Sequence, residues 1–247
     1  CVVAAALVVV PYSVYATQKF GGLVVSDRTL GQMMWLGNND FPPMTFDWGN
    51  GQLSKRAYER YAEMGRKHCP HAKDPIAQDT CEVAKGKAWI LAHPAEFVQR
   101  MPERASQMLT PHSFLTRHLR WGRWKGLPDF VDEALIGLVV AFSFVTMVGG
   151  TVGLGARGKG WYAVAAGLIV LYHVGAISIL AGLSRYRVPL EPLWMVFAGA
   201  LLADPRGAWA ALRASPGRMV FTVVFTGVLL VLMLRFLPAG WPGWGTW

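Results

Sequence analysis

Stretches with few or no charges in the C-terminal half constrain this chain more than any other feature. Residues 134–154 form 21 consecutive positions without a charge, and residues 161–183 form 23. Residues 219–237 form a third stretch, which is interrupted only by Arg235 near its end. About 20 apolar residues in a helix cross the roughly 30 Å hydrocarbon core of a bilayer. Each stretch therefore predicts a transmembrane helix.

Residues 188–203 form a shorter apolar stretch that begins with Pro189, Glu191 and Pro192. Prolines are tolerated in the first turn of a helix, because the missing N–H would have no partner there. We expect a fourth full transmembrane helix at this position. A re-entrant segment is the alternative.

The N-terminal residues 1–10 are apolar and are followed by Pro11. Ten residues rise only about 15 Å as a helix, which is half of a bilayer core. The charged start and the small-residue cleavage site of a signal peptide are both missing. We therefore expect residues 1–16 to be the end of a truncated transmembrane helix, and the chain to be a fragment of a longer protein.

The predicted fold class is an all-α membrane protein in three parts. The truncated helix end (1–16) is followed by a large loop domain with amphipathic helices (17–130), and then by a four-helix transmembrane region with a short tail (131–247). Two short connections, 154–160 and 204–218, hold five cations and are predicted to be cytoplasmic. These cations are Arg157, Lys159, Arg206, Arg213 and Arg218. The loop 17–130 and the tryptophan-rich tail are then extracytoplasmic, in the inner (plasma) membrane of a bacterium.

The loop 17–130 has the periodicity of several helices. Residues 53–67 and 81–93 are predicted to be helical, and a further helix is predicted to begin at Pro94. In 114–125 four cations alternate with two tryptophans, which indicates either a helix in the membrane interface or a solvated basic helix. Sixteen of the 24 cationic residues lie in the loop among eleven acids, without a run of like charge. This mixture argues against nucleic acid as a partner.

Two cysteines of the loop, Cys69 and Cys81, lie on the side where disulfides persist. A disulfide between them is the preferred interpretation, and free thiols are the next. A zinc site with His68 and His71 is a further alternative, although this spacing is irregular for zinc. No metal-ligating residue and no cofactor are predicted, and the need for a divalent metal is left open.

Charged groups at the outer ends of the helices are the best candidates for a binding site. Arg185 and Arg187 lie on the outer side against the charge bias, and arginine matches the geometry of phosphate in two-point contacts. The pair could hold the phosphate of a lipid carrier, or it could be an interfacial anchor or an ion pair with Glu191. His173 lies within an apolar stretch and is either a functional group or a neutral histidine bonded to a neighbouring helix. Asp40 is expected to be a solvated turn residue, like Asp27 and Asp47.

Four short segments, in this order, resemble motifs of the GT-C class of membrane glycosyltransferases that use a polyprenyl-phosphate sugar. They are PYSVYA (11–16), GNN (37–39), HPAEF (93–97) and RYRVPLEP (185–192). Protein O-mannosyltransferases and the lipid A aminoarabinose transferase belong to this class. The last segment is the most specific, whereas the first lacks the Trp, Arg and Asn that many bacterial members carry there.

The resemblance implies that the chain is the C-terminal part of such an enzyme, and that it helps to transfer a sugar from the carrier to an acceptor outside the cytoplasm. It assigns the carrier phosphate to Arg185, Arg187 and Tyr186, and it makes the long loop a cap over the active site. In this class the catalytic carboxylate lies in the N-terminal half, so we assign no catalytic residue here. The expected partners are the polyprenyl-linked sugar, membrane lipids and an acceptor. A non-enzymatic transporter or assembly subunit, or an inactive remnant, is the alternative.

Overall fold

The computed structural model describes most of the chain in atomic detail. The described residues are 2–22, 24, 30–40, 69–72, 74–112, 116, 119, 128–180, 182 and 184–235. All regular structure within these ranges is helical. The predicted helix 53–67, most of the basic segment 114–125 and the tail from residue 236 lie outside the described residues, as do Asp27, Asp47 and His68.

The chain divides into two compact units. The first comprises Cys1–Thr45, Arg56–Gln99 and Ile179–Ala181, and the second comprises Phe46–Lys55, Arg100–Ser178 and Gly182–Trp247. Both units draw on segments that are distant in sequence.

The first unit contains three described helices, α1 (Val2–Phe20), α2 (Leu30–Gly37) and α3 (Pro75–Ala92). Asp74 begins α3, because its side chain accepts hydrogen bonds from the N–H groups of the first turn. Helices α2 and α3 pack closely, and the Gly31 N–H donates to Asp79 Oδ1 over 2.7 Å. Helix α4 (Pro94–Leu109) follows α3 after His93, and its residues from Arg100 onward belong to the second unit.

The second unit continues with five helices and one 3-10 helix. These are α5 (Asp129–Arg157), α6 (Gly160–Ile179), the 3-10 helix (Ser184–Leu190), α7 (Glu191–Ala203), α8 (Pro205–Arg213) and α9 (Pro216–Leu234). Among the described residues, three helices are long and apolar enough to cross a membrane, namely α5, α6 and α9. Their outward side chains are largely exposed, which suits helices that face lipid.

The prediction of a fourth full transmembrane helix at 188–203 is not confirmed. The segment begins within the 3-10 helix, and α7 has only 13 residues. A helix of that length rises about 20 Å, which is less than the roughly 30 Å of a bilayer core. Pro189 lies inside the 3-10 helix, and Asp204 ends α7 by capping α8 through a 2.8 Å hydrogen bond from the Gly207 N–H. Pro189 and the Asp204 cap therefore make α7 shorter than the apolar stretch from which a full transmembrane helix was predicted.

Glycines on α5 allow α7 to lie directly against it. A Cβ atom at Gly150 would lie 2.5 Å from the carbonyl oxygen of Trp194 and 2.7 Å from its Cα. Gly153 faces Phe197 in the same way, so the two helices run in the same direction. Small residues permit such close approach between helices in membranes, where packing replaces the hydrophobic effect. The core beneath this contact includes Met147 and Met233.

Candidate functional site

The side chain of Arg187 is the centre of a buried polar cluster in the second unit. It is 2% exposed although it carries a charge. Its Nε donates to Glu191 Oε1 over 3.0 Å, and its Nη2 donates to Ser143 Oγ over 3.1 Å. Nη1 donates to the carbonyl of Thr110, and Nη2 also contacts the carbonyl of Pro111 at 3.4 Å. One guanidinium therefore joins the segment that follows α4 to α5, the 3-10 helix and α7.

The 3-10 helix that presents Arg187 is also fixed from the side of α6. The Nε2 of His173 donates to the carbonyl of Tyr186, the residue before Arg187. Because the internal hydrogen bonds of a 3-10 helix have poorer geometry than those of an α-helix, these bonds from α6 and from the arginine help to hold it in place. Leu190, at its end, is 1% exposed and belongs to the hydrophobic core.

A second buried arginine lies on α4. Arg104 is 4% exposed, and its Nη1 donates to the carbonyl of Ser178 over 3.0 Å. This carbonyl is in the last turn of α6, where a cation is favourable. Burial, with Arg100 one helical turn away, lowers the pKa of Arg104 to about 10. The group stays positively charged at neutral pH.

Thr110 and His112, which follow the end of α4, are almost completely buried. Within the described part of the chain, the hydroxyl of Thr110 has no hydrogen-bond partner. Buried polar groups without partners are rare, and such a hydroxyl costs free energy in the folded state.

The cluster lies part of the way along the apolar helices and not at their ends. Ser143, which contacts Arg187, is the tenth of the 21 residues in the charge-free stretch 134–154. At 1.5 Å per residue it lies about 14 Å from one end of that stretch and about 17 Å from the other. A charged pair at this level is unusual among apolar helices and is characteristic of functional sites.

The predicted phosphate-binding residues have different surroundings in the structure. The side chain of Arg185 lies outside the described residues, and Tyr186 is half-buried. Arg187 forms the ion pair with Glu191 that sequence analysis gave as one alternative. Its binding to a lipid phosphate stays a prediction. His173 is bonded to a neighbouring segment, as its second interpretation proposed.

Several members of the cluster could not be identified from the sequence. Thr110 and Pro111 contribute backbone carbonyls, for which no residue-type signal exists. Ser143 was detectable as a hydroxyl within a charge-free helix, and such groups commonly bond across helices in membranes. Arg104 lies on the amphipathic helix α4. The sequence spacing of the arginines on this helix does not show which of them are buried and which are solvated.

In the first unit the structure joins Cys69 and Cys81 in a disulfide, with Cα atoms 6.2 Å apart. Both sulfurs are then unavailable as zinc ligands, and no group of three possible ligands occurs within the described ranges. Asp40, expected to be only solvated, accepts a 2.8 Å hydrogen bond from Trp89 Nε1. In the segment 37–39, Asn38 is fully buried and donates to the carbonyl of Met34 at the end of α2.

Comparison of the chain with protein-family models, with curated proteins and with solved structures yields no match. The functional interpretation therefore depends on the polar cluster and on the short motifs in the sequence.

Proposed function

We propose that this chain is the C-terminal part of a membrane glycosyltransferase that takes a sugar from a polyprenyl-phosphate carrier and acts on the extracytoplasmic side. The observation that carries the proposal is the burial of Arg187 within the segment RYRVPLEP (185–192), the segment that most resembles the family. In this proposal α5, α6 and α9 span the membrane, and the 3-10 helix lies recessed among them. A recessed site suits a substrate that itself is anchored in lipid.

Within this proposal the two arginines of the segment have different tasks. Arg187 is a positioning residue, because Thr110, Pro111, Ser143 and Glu191 already occupy its guanidinium. It holds the 3-10 helix rigidly beside α4. The phosphate contact then belongs to Arg185 and Tyr186, which the same segment presents. An arginine fork can donate two parallel hydrogen bonds to a phosphate.

The chemistry expected of this part is stabilisation of charge. In the transfer, the acceptor's nucleophilic atom forms a bond to the sugar carbon, the bond between that carbon and the phosphate oxygen breaks, and the phosphate keeps the electron pair. A fixed cation stabilises the negative charge that develops on that oxygen. The general base that removes the acceptor's proton is proposed to lie in the N-terminal half of the enzyme.

Binding of the carrier tests this proposal. The protein is purified in nanodiscs and loaded with equal amounts of polyprenyl phosphate and polyprenol, and native mass spectrometry measures which is retained. We expect the phosphate to be retained over the alcohol. Arg185→Gln should reduce that preference at least about tenfold, because a charge-assisted hydrogen bond contributes roughly 1.5–3 kcal/mol. Lys87→Gln, which removes an exposed charge of α3, is the matched control.

Equal retention of phosphate and alcohol by the wild-type protein would refute the proposal. An unchanged preference in Arg185→Gln would refute the assignment of the phosphate contact. Circular dichroism establishes that the variant keeps its helices, so loss of binding is not loss of fold.

A transporter subunit is the second candidate, and the level of the polar cluster favours it. Transporters place ionisable groups and interrupted helices near the midplane of the membrane. Here the pair Arg187–Glu191 lies at the junction of a 3-10 helix and the short helix α7. A transporter predicts that the cluster discriminates among soluble solutes in a flux assay, and that polyprenyl phosphate is not preferred over polyprenol.

A further inference from the structure

Helix α8 has one outward face that combines cations with an aromatic side chain. Arg206, Trp209 and Arg213 follow one another at intervals of three and four residues, so they share this face. All three are exposed, and the guanidinium of Arg213 lies 4.7 Å from the centroid of the Trp209 ring. The opposite face, with Ala208 and Leu212, is buried against α5.

The surrounding helix ends have the features of a membrane surface. Helix α6 begins just after α5 ends, and its first aromatic side chains, Trp161 and Tyr162, are 73% and 84% exposed. Arg218, near the start of α9, donates to the carbonyl of Ala156 in the last turn of α5 over 3.5 Å. Exposed tryptophan and tyrosine at the ends of apolar helices are typical of the headgroup region.

The charges at this end are not equally available. Arg157 is already occupied, because it forms an ion pair with Asp204 and also donates to the Asp204 backbone carbonyl. The hydrogen bond from the Gly207 N–H is the main reason that the pKa of Asp204 lies below its usual range, and the interaction with Arg157 lowers it further. No acid of α8 itself neutralises Arg206 or Arg213, since the helix sequence PRGAWAALR contains none.

We propose that the outward face of α8, defined by Arg206, Trp209 and Arg213, binds the headgroups of acidic phospholipids. The two arginines supply the charge complementary to the lipid phosphates, and Trp209 lies at the depth of the headgroups. Cations on the polar face of a helix at the membrane interface attract anionic lipids. This inference does not depend on the glycosyltransferase proposal.

A soluble polyanion is the competing occupant of a basic face. The observations favour lipid because the exposed aromatic side chains at this end have no complementary role towards a soluble polyanion. The apolar exposed side chains of α5, α6 and α9 also continue directly beneath the helix ends. The experiment includes heparin as a probe of the alternative.

The test measures lipid preference in the intact protein. Nanodiscs contain phosphatidylcholine and phosphatidylglycerol, and native mass spectrometry of the released protein counts each retained lipid. We expect enrichment of phosphatidylglycerol that falls with rising salt. Each arginine near a charged surface contributes about fivefold, so Arg213→Gln should lower the enrichment about fivefold, and Arg206→Gln/Arg213→Gln about twenty-five-fold. Lys87→Gln should leave it unchanged.

Unchanged enrichment in the double variant would overturn the inference. Loss of heparin binding by that variant, together with unchanged lipid enrichment, would assign the face to a soluble polyanion and would overturn it as well. Because Arg206 and Arg213 are exposed, the double substitution should leave the helical content unaltered, and circular dichroism verifies this.

Discussion

Replacing Arg187 by alanine should destabilise the second unit more than replacing any exposed cation. The substitution leaves four acceptors without their donor, namely the carbonyls of Thr110 and Pro111, the hydroxyl of Ser143 and the carboxylate of Glu191. Removing one partner of a buried ion pair typically costs about 3–5 kcal/mol. Glu191 is 32% exposed, so water can solvate part of its charge. The carbonyl of buried Thr110 lacks that compensation, and we expect a loss of roughly 3–4 kcal/mol.

The free energy of unfolding is measured in mixed micelles by titration with a denaturing detergent, and far-UV circular dichroism reports helix content. Lys159→Ala removes an exposed cation between α5 and α6 and should change the free energy by less than about 0.5 kcal/mol. Arg187→Lys should recover part of the loss, because an ammonium group keeps the charge but not the planar fork. A loss below about 1 kcal/mol in Arg187→Ala would refute the assignment of Arg187 as the centre of the cluster.

Two further predictions concern packing and pH. Gly150→Ala should reduce the free energy of unfolding by about 1–3 kcal/mol, because the added Cβ meets the backbone of Trp194. At Gly137 an added Cβ has nothing within 4 Å, so Gly137→Ala should be neutral or stabilising in the same unfolding titration. Burial raises the pKa of Glu82 in the folded protein, so the folded state favours the protonated carboxyl more than the unfolded state does. This contribution to the stability of the protein is present at low pH and is lost as the pH rises through the pKa of Glu82 in the folded protein. The melting temperature of Glu82→Gln should therefore fall less than that of wild type between about pH 4 and pH 8, and an equal fall would contradict this.

The apolar helices were predictable because a long charge-free stretch has few other stable arrangements. Their ends were less predictable. Helix α5 begins at Asp129, several residues before the charge-free stretch, because acidic residues are favourable in the first turn of a helix. Helix α6 ends at Ile179, before the charge-free stretch 161–183 is finished.

The division of 188–203 into a 3-10 helix and a short α-helix was not predictable from apolarity. Besides Pro189 and the Asp204 cap, distant residues contact the 3-10 helix, above all the carbonyl of Thr110, which lies 77 positions before Arg187. The sequence identified Arg187 as a special cation and Glu191 as its possible partner. The remaining partners required the fold, because backbone carbonyls of loops carry no signature in the sequence.

The depth of the 3-10 helix in the bilayer tests the central claim most directly. A nitroxide label is attached at Val188, which is 56% exposed, in a protein with Cys1→Ser, and power-saturation EPR gives its depth. Labels at Phe142, beside Ser143, and at Trp161, at the start of α6, serve as references. The account predicts that Val188 lies within the hydrocarbon, at the depth of Phe142. A depth in the headgroup region, as for Trp161, would contradict it.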